Sequence, residues 1–385
     1  GPSLTVKMNF GADSSFSGTK TSGSNEAQDA NGIGDFYYAP PSGHLALCSA
    51  NLPEPTISPN QATQADDHFN TVLFSGTGST RSVTGVGFQP DWIWFKRRDG
   101  AVNHALYDSI RGGTNALRSN TNGAESQFGD AVISFETDGF EIAGTNVSGI
   151  NGSSESIVSW NWKANGGTTS SNSDGTITST VQANTTAGFS IVKATSPSSG
   201  TWTVGHGLGA TPDFIIQKYL ASNSRWTVWH NVLTSGQYLG LNEVNGVASS
   251  GTPFNFTFNS TVIGGNANYD ATSTDVIYYV FRQVDGFSKI GSYIANNSSS
   301  DNAFVFTGFR PAFVLIKGIQ SGINQEWVIM DNKKSSSNGG NPIDSGSYPN
   351  YNYAEFTNSN HTDFLSNGFK IRATSGVGYL SGQRY

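Results

Sequence analysis

Apolar and polar residues alternate along most of this chain in short segments. Ala131–Phe135, Arg225–Trp229 and Phe369–Arg372 place β-branched or aromatic residues at every second position, and Gly, Asn, Pro or Ser bounds each segment. This period is typical of β-strands with one buried face. No stretch of the sequence keeps apolar residues at helical spacing over three turns. The pattern therefore predicts an all-β fold of tandem antiparallel β-sandwich domains, jelly-roll-like and arranged in series.

One arrangement of these segments occurs three times. An aromatic strand is followed by a Gly-rich turn, a proline (Pro90, Pro212 or Pro311), a hydrophobic run and a second aromatic-rich strand. The spacing of roughly 100 residues between prolines is too long for a solenoid and suits small domains. We expect each proline at a strand entrance, where its missing N–H removes no ladder bond. The strand that follows should be central, with Trp94, Ile216 and Ile316 at matching places.

Shifts in composition divide the chain into six segments. Pro-rich and Gly/Ser/Thr-rich stretches predict the linkers, and the repeats lie between them. The predicted segments are an N-terminal domain segment at 1–53, a linker at 54–67, copy one of the repeat at 68–165, a linker at 166–187, copy two at 188–284 and copy three at 285–385.

The copies differ at their ends. Copy one closes with the strand Ser156–Lys163 and copy two with Asp275–Arg282, whereas copy three reaches only Ser381–Tyr385, where this closing strand should start. A sandwich without its last strand leaves a row of backbone groups without partners. We expect either that the sequence is a fragment or that another chain or domain supplies the strand.

Composition and charge exclude several function classes. Charged residues are 13% of the 385 residues and the net charge is −7, so no basic face is available for nucleic acid. The one cationic cluster, Lys96–Arg98, is interpreted as a solvated turn. The single cysteine, Cys48, is placed in an apolar strand and excludes a disulfide framework. No apolar run approaches the ~18–20 residues of a membrane span, so membrane insertion is not expected.

The sequence predicts no catalytic residue, metal site or cofactor. The Gly-rich run Gly205–Gly209 precedes a strand, so it predicts a tight turn in which His206 bonds local backbone, and not a phosphate loop. Paired-carboxylate catalysis needs two acids a few ångströms apart. The candidate acids occur at strand ends and turns without recurring in every copy, and we expect them to cap turns: Asp91, Asp108, Glu136, Asp138 and Glu141.

Aromatic residues supply the candidate binding site. Trp92 and Trp94 share one strand face, as do Trp160 and Trp162, and their recurrence favours core packing. Aromatics without a counterpart in the other copies are better candidates for stacking on sugar rings. These are Tyr348, Tyr351 and Tyr353, in a segment rich in Asn, Ser and Pro that we interpret as an insertion. Packing of the three rings on their own domain is the alternative.

Four stretches carry a resemblance to a known family: GFSIVKATSPSSGTWTVGHGLGATPDFIIQK, GFSKIGSYIANNSSSDNAFVFTGFRPAFVLIK, QEWVIMDNKK and DFLSNGFKIR. They resemble a repeated β-domain of unassigned function from tail fibres and other virion structural proteins of bacteriophages, especially marine ones. The resemblance covers roughly Asp67–Tyr385. Before it, Leu4–Phe10 and Phe36–Leu52 look like the C-terminal strands of a SPRY-like lectin sandwich.

This resemblance implies a virion structural protein of the tail fibre or tail tip that mediates host attachment without catalysis. The implied location is the virion, outside the cell. The implied partners are a host cell-surface glycan or protein receptor, other virion tail proteins and further copies of the chain, as a homo-oligomer and specifically a trimer. A bacterial cell-surface adhesin is the alternative, and a polysaccharide depolymerase is the third interpretation.

Overall fold

The computed structural model of the chain describes residues 27–36, 38–52, 54–127, 131–146, 148–221, 223–249, 253–254, 257–267, 273–296, 302–322, 324–335, 340–357, 361–372 and 382–385. It divides into two compact units, Gly1–Pro55 and Thr56–Tyr385. The described secondary structure consists of antiparallel strands and two short 3₁₀ helices, which confirms the all-β prediction. None of the helices among these residues has the length and apolar character needed to cross a membrane.

The first unit differs from the predicted end of a lectin-like sandwich. Leu4–Phe10 lies outside the described residues. The described part of Phe36–Leu52 forms no strand beyond one isolated bridge between Ala27 and Phe36, and it ends in a 3₁₀ helix at Ser49–Asn51. Cys48 lies in a bend and not in an apolar strand. The apolar residues in this stretch therefore do not alternate along an extended backbone.

The second unit begins with the 3₁₀ helix Ala65–Asp67 and contains the strands. In the described residues these are β1 (Phe69–Ser75), β2 (Arg81–Thr84), β3 (Trp92–Arg97), β4 (Ala105–Asp108), β5 (Asn115–Ala116), β6 (Ser126–Gln127), β7 (Val132–Glu136), β8 (Gly139–Ile142), β9 (Ser156–Trp162), β10 (Ser170–Asn172), β11 (Ser179–Asn184), β12 (Phe189–Thr195), β13 (Thr201–Gly205), β14 (Phe214–Tyr219), β15 (Thr227–His230), β16 (Leu239–Gly240), β17 (Val262–Asn266), β18 (Asp275–Phe281), β19 (Phe304–Phe306), β20 (Phe313–Lys317), β21 (Trp327–Asp331), β22 (Thr362–Leu365) and β23 (Gly368–Ile371).

Each copy is a two-layered sandwich. Copy one packs the sheet β1-β9-β3-β4 on the sheet β2-β8-β7, and copy two packs β10-β11-β12-β18-β14-β15-β16 on β13-β17. Copy three packs β20-β21 on β19-β23-β22. A separate hydrophobic core lies between the two layers of each copy, around Phe95 in copy one, Tyr278 in copy two and Met330 in copy three. Tandem antiparallel sandwiches are therefore confirmed.

The prolines confirm the predicted equivalence of the copies. Pro90, Pro212 and Pro311 each precede the first residue of a strand by two positions, at the entrances of β3, β14 and β20. One predicted match is wrong by a residue, because Leu315 and not Ile316 corresponds to Trp94 and Ile216. Leu315 faces the same core as they do, whereas Ile316 faces the core of its own copy. Successive strand residues point to opposite faces, so one position decides the core that a side chain joins.

The three copies also share a fourth core, which the sequence pattern did not predict. One face of each central sheet packs into it, with Trp94 and Trp160 from copy one, Ile216 and Tyr279 from copy two and Trp327 from copy three. The strands β3, β9, β14, β18 and β21 are therefore buried on both faces. A strand that is apolar on both faces has to be covered on both faces.

The predicted linker at 166–187 is part of the fold. It contains β10 and β11, which pair with each other and extend the large sheet of copy two through β12. The buried carboxylate of Asp91 fixes the start of this segment by accepting hydrogen bonds from the backbone N–H groups of Gly166 and Gly167, at 2.8 and 2.6 Å. The Ser and Thr residues of this segment lie in strands and turns, because their backbone groups pair with the edge of the sheet at β12.

Candidate functional site

Tyr348, Tyr351 and Tyr353 lie on a loop that has a counterpart in each of the other copies. We call the segments 118–125, 240–247 and 348–355 the docking loops. Each of them contacts a neighbouring copy at the β-hairpin that follows the proline of that neighbouring copy. These central hairpins are β3–β4, β14–β15 and β20–β21. The interpretation of the tyrosine segment as an insertion is therefore wrong, since it occupies a recurring place in the fold.

The first residue of each docking loop accepts a hydrogen bond from an aromatic ring of another copy. Three residues at matching hairpin positions supply the donor nitrogens. Trp226 Nε1 donates to the carbonyl of Arg118 at 2.9 Å, Trp327 Nε1 to that of Gly240 at 2.8 Å, and His104 Nε2 lies 3.0 Å from that of Tyr348.

The tautomer of His104 follows from its two contacts. Its Nδ1 accepts a hydrogen bond from the indole Nε1 of Trp94 at 2.8 Å, so Nε2 carries the proton that is donated to Tyr348. His104 is fully buried, and this burial, together with the nearby charge of Lys96, lowers its pKa well below the usual value. The ring is a neutral hydrogen-bonding spacer between copy one and copy three.

A buried lysine makes the second recurring contact. Lys96, Lys218 and Lys317 each stand six residues after the proline of their copy and are at most 5% exposed. Each ammonium group reaches the fifth residue of a docking loop. Lys96 Nζ lies 3.5 Å from the carbonyl of Asn352, Lys218 Nζ 3.4 Å from that of Asn122, and Lys317 Nζ 2.7 Å from that of Val244.

Burial lowers the pKa of two of these lysines. The pKa of Lys96 falls to about 8, with the nearby charges of Lys334 and Arg97 acting in the same direction. The pKa of Lys317 falls to about 7, although Glu326 and Glu243 oppose the effect of burial. The interpretation of Lys96–Arg98 as a solvated turn is wrong, because Lys96 is buried and Arg98 forms a two-pronged ion pair with Glu355.

The backbone N–H of the eighth docking-loop residue makes the third recurring contact. It donates to the carbonyl that stands eight residues after each proline: Glu125 to Leu220 at 2.7 Å, Val247 to Ile319 at 3.1 Å and Glu355 to Arg98 at 2.8 Å. Copy one thus docks on copy two, copy two on copy three and copy three on copy one. Head-to-tail contacts of this kind close into a ring.

Carboxylates at the ends of two central hairpins join the closing strand of another copy. Asp108 accepts a hydrogen bond from Tyr279 Oη at 2.7 Å, and Asp331 accepts one from Trp160 Nε1 at 3.0 Å. Burial raises the pKa of Tyr279 well above its usual value; the charge of Arg111 opposes this shift and that of Asp108 adds to it. Both carboxylates also pair with the cation three residues later, Arg111 at 2.5 Å and Lys334 at 3.4 Å.

Asp138 caps a turn, as the sequence predicted, whereas Glu136 and Glu141 lie within β7 and β8. Asp138 accepts from the backbone N–H groups of Gly85 and Gly87, and Glu136 accepts from the hydroxyl of Ser82. His206 likewise bonds local backbone, with its Nδ1 accepting from the N–H of Leu208 and its Nε2 lying 3.1 Å from the carbonyl of Asn259. The described residues contain no group of three His, Cys, Asp or Glu side chains arranged to hold a metal ion.

The three candidate tyrosines have different surroundings. Tyr348 packs against the core of copy three, with its ring 5.0 Å from that of Phe356. Tyr351 and Tyr353 stack on each other with centroids 4.7 Å apart and planes inclined by 13°, and Tyr353 is 53% exposed. Burial and the carboxylate of Glu326 raise the pKa of Tyr348 and of Tyr351. Tyr351 and Tyr353 therefore form a stacked aromatic platform, and the carboxylate of Glu326 is close enough to raise the pKa of Tyr351.

Sequence reasoning missed the docking contacts, although a signal for them was present. A lysine six residues after a proline, inside a hydrophobic strand, recurs in all three copies. Lysine is rarely buried unless its charge has partners. The recurrence of this lysine in a buried strand therefore indicates a shared interface. Tyrosine is found at positions 351 and 353 of copy three only, because copy one has Thr121 and Gly123 there and copy two has Glu243 and Asn245.

Comparison with known proteins gives one match. Neither the curated proteins nor the solved structures contain a match to this sequence. A family model described as a domain of unknown function, DUF7483, matches residues 64–385. This range includes all three copies and most of the chain. The chain therefore belongs to the DUF7483 family.

Proposed function

We propose that this protein is a bacteriophage virion structural protein of the tail fibre or tail tip, which attaches the virion to a host-surface glycan without catalysis. The observation that carries the proposal is the stacked pair Tyr351–Tyr353, of which Tyr353 is 53% exposed. Sugar rings stack on aromatic faces, and hydroxyl groups hydrogen-bond to nearby acceptors such as the carboxylate of Glu326.

The use of the buried charged groups supports a structural role. Lys96, Lys317, Asp108 and Asp331 contact carbonyls, hydroxyls or ring N–H groups of other copies. The hydrogen bonds of these buried charged side chains are used to hold the copies together. The features that recur hold the unit together, and the feature found only in copy three is exposed at its surface. This division suits a rigid module that presents one binding surface.

The resemblance of the repeats to virion proteins supports the location. The partners we propose are the host-surface glycan, other virion tail proteins and further copies of the chain. The three-fold contact pattern within one chain is also compatible with trimers of whole chains, which light scattering at micromolar concentration tests. A monomer at that concentration would contradict the trimer.

Binding and location are tested separately. Tyr353→Ala and Tyr351→Ala should each weaken binding to host polysaccharide at least about tenfold, which is about 1.4 kcal/mol, on a glycan array and in titration calorimetry. Tyr38→Ala is the matched control, because Tyr38 is 72% exposed and lies outside the repeats. Equal binding by all three variants would contradict the tyrosine site. Antibody labelling of virions in electron micrographs tests the location, and labelling of the bacterial surface alone would contradict it.

A further inference from the structure

The sheet β19-β23-β22 of copy three has an apolar surface that faces away from its core. Phe304 and Phe306 in β19 are 45% and 62% exposed, and Leu365 in β22 is 36% exposed. The strand register aligns Phe306, Gly368 and Leu365 in one row across the sheet, and Phe304 lies opposite Lys370 in the next row. We call the outward-facing side chains of this sheet, with Arg372 at its end, the outer face: Phe304, Phe306, Asp363, Leu365, Lys370 and Arg372.

The same surface is polar in the other copies. A core valine identifies the matching positions, because Val83 in β2 and Val305 in β19 pack in the cores of their own copies. The strand registers then give the residues of copy one that stand where copy three has the outer face: Ser82 for Phe304, Thr84 for Phe306, Glu136 for Leu365 and Glu141 for Lys370. Copy two has Thr203 and Gly205 on the two sides of its core valine. The sandwich therefore does not need aromatic residues at these positions.

Both phenylalanine rings lie along the sheet and do not stand upright on it. A Cβ added to Gly368 would lie 2.9 Å from Cζ of Phe304, so this ring covers the glycine. A Cβ added to Gly308 would lie 3.9 Å from Cζ of Phe306, so the second ring leans over the turn that follows β19. Because both rings remain largely exposed, each has a face open to solvent. Residues two apart on a strand are about 7 Å apart, so neighbouring sugar rings of one glycan chain can stack on both.

The charges beside the rings favour an acidic ligand. Lys370 lies between Phe304 and Asp363 in the strand register. Asp363 accepts a hydrogen bond from Nε of Arg372 at 2.6 Å. The two cations and one carboxylate give the outer face a positive net charge, although the chain as a whole carries −7. The matching surface of copy one carries two glutamates, so the sign of the charge is reversed there.

The size of the apolar surface favours a glycan over a protein partner. A whole phenylalanine side chain has an area of ~200 Å², so the exposed fractions of Phe304, Phe306 and Leu365 amount to about 300 Å². A stable protein interface takes about 800 Å² from each partner. An area of about 300 Å² is instead enough for a few sugar rings.

We propose that the outer face of copy three binds an acidic polysaccharide, with sugar rings stacked on Phe304 and Phe306 and a sugar carboxylate beside the ammonium group of Lys370. The ion pair of Asp363 and Arg372 supplies an acceptor and donors for sugar hydroxyls. This site goes beyond the attachment site at Tyr351 and Tyr353. It lies in the layer of copy three that faces away from the shared core, whereas the tyrosines lie on a docking loop.

Two oligosaccharides of equal length test the class of ligand on the whole chain. The acidic probe is an alginate hexasaccharide, which has a carboxylate on every ring, and the neutral probe is cellohexaose. We expect titration calorimetry to show that the neutral probe binds at least about tenfold more weakly, and that added salt weakens the binding of alginate. Equal binding of the two probes overturns the assignment to an acidic sugar, and no binding of alginate overturns the site.

Two substitutions test the position of the site. Phe306→Thr introduces the residue that copy one has at this place, and Lys370→Gln removes the charge. Each should weaken alginate binding at least about fivefold while the melting temperature stays within about 3 °C of the native value. Ile133→Thr is the control, because Ile133 is 47% exposed in the matching sheet of copy one. Unchanged binding by Phe306→Thr or Lys370→Gln, or an equal loss in the control, overturns the proposal.

Tyr353→Ala separates this site from the attachment site. The variant should bind alginate as the native protein does, because Tyr353 is not part of the outer face. Loss of alginate binding in Tyr353→Ala, with binding kept in Phe306→Thr, would move the acidic glycan to the tyrosine platform. That result would overturn the outer-face site and leave the proposed attachment function standing.

Discussion

The hydroxyl of Tyr279 joins copy two to copy one through two hydrogen bonds that a single substitution removes, one donated to Asp108 and one accepted from Arg111 at 3.3 Å. Its Oη lies 2.7 Å from Asp108 Oδ2, and both residues are fully buried. The ring itself stacks on Trp92 of copy one, with centroids 4.2 Å apart and planes inclined by 16°. Tyr279→Phe keeps this stacking and the packed volume, so the change in unfolding free energy reports the hydroxyl.

The structure sets the expected magnitude. A hydrogen bond to a buried charged group contributes about 1.5–3 kcal/mol. Asp108 keeps its ion pair with Arg111 at 2.5 Å after the substitution, so its charge is not left alone. We therefore expect Tyr279→Phe to lower the unfolding free energy by about 2 kcal/mol. Tyr107→Phe is the matched control: Tyr107 is fully buried too, and its hydroxyl lies 2.7 Å from the neutral hydroxyl of Ser148, which predicts a loss of about 1 kcal/mol.

Urea unfolding followed by tryptophan fluorescence measures both variants, since most of the eight tryptophans lie in the cores of the repeats. A double-mutant cycle with Asp108→Asn should give a coupling energy of at least about 1 kcal/mol between Tyr279 and Asp108. The reasoning fails if Tyr279→Phe costs no more than Tyr107→Phe, or if the cycle gives no coupling. Either result would mean that the charged contact between copies does not stabilise the unit.

Three further predictions follow from buried groups and close contacts. The pKa of Lys317 is about 7 in the fold and 10.5 in its ordinary state, so between these values the unfolded chain binds the extra proton and stability rises with pH, by at most about 1.4 kcal/mol per unit. Urea midpoints at pH 7 and 8 should show this rise in the native protein and a smaller rise in Lys317→Met, where Lys96, with a pKa of about 8, still contributes. Gly113→Ala should cost more than about 2 kcal/mol, because a Cβ would lie 2.0 Å from a backbone carbonyl oxygen, whereas Gly123→Ala, with its nearest contact at 3.6 Å, should change the urea midpoint little. Arg98→Met should cost about 1–2 kcal/mol through the loss of its half-buried pair with Glu355, and equal stability of the variant and the native protein would contradict that contact.

The sequence by itself determined the strands, the repeat and the turns. Alternation and turn residues are local signals, so the strands after Pro90, Pro212 and Pro311 and the turn around His206 form where the pattern predicts them. The burial of Trp94 was predictable for the same reason, because its strand is too apolar to face water.

The tertiary structure alone decided what covers each face of these strands. β3 is apolar on both faces, and the sequence does not say that one of them meets the other two copies. Lysine is a residue type that usually lies at the surface, but the ammonium group of Lys96 is buried near the carbonyl of Asn352, which is distant in the sequence. The composition of the segment 166–187 is typical of a linker, but in the fold its strand β11 pairs with β12 and extends the sheet of copy two. Local sequence specifies the conformation of a segment. Which other segments pack against it depends on contacts between residues that are distant in the sequence and that only the folded chain brings together.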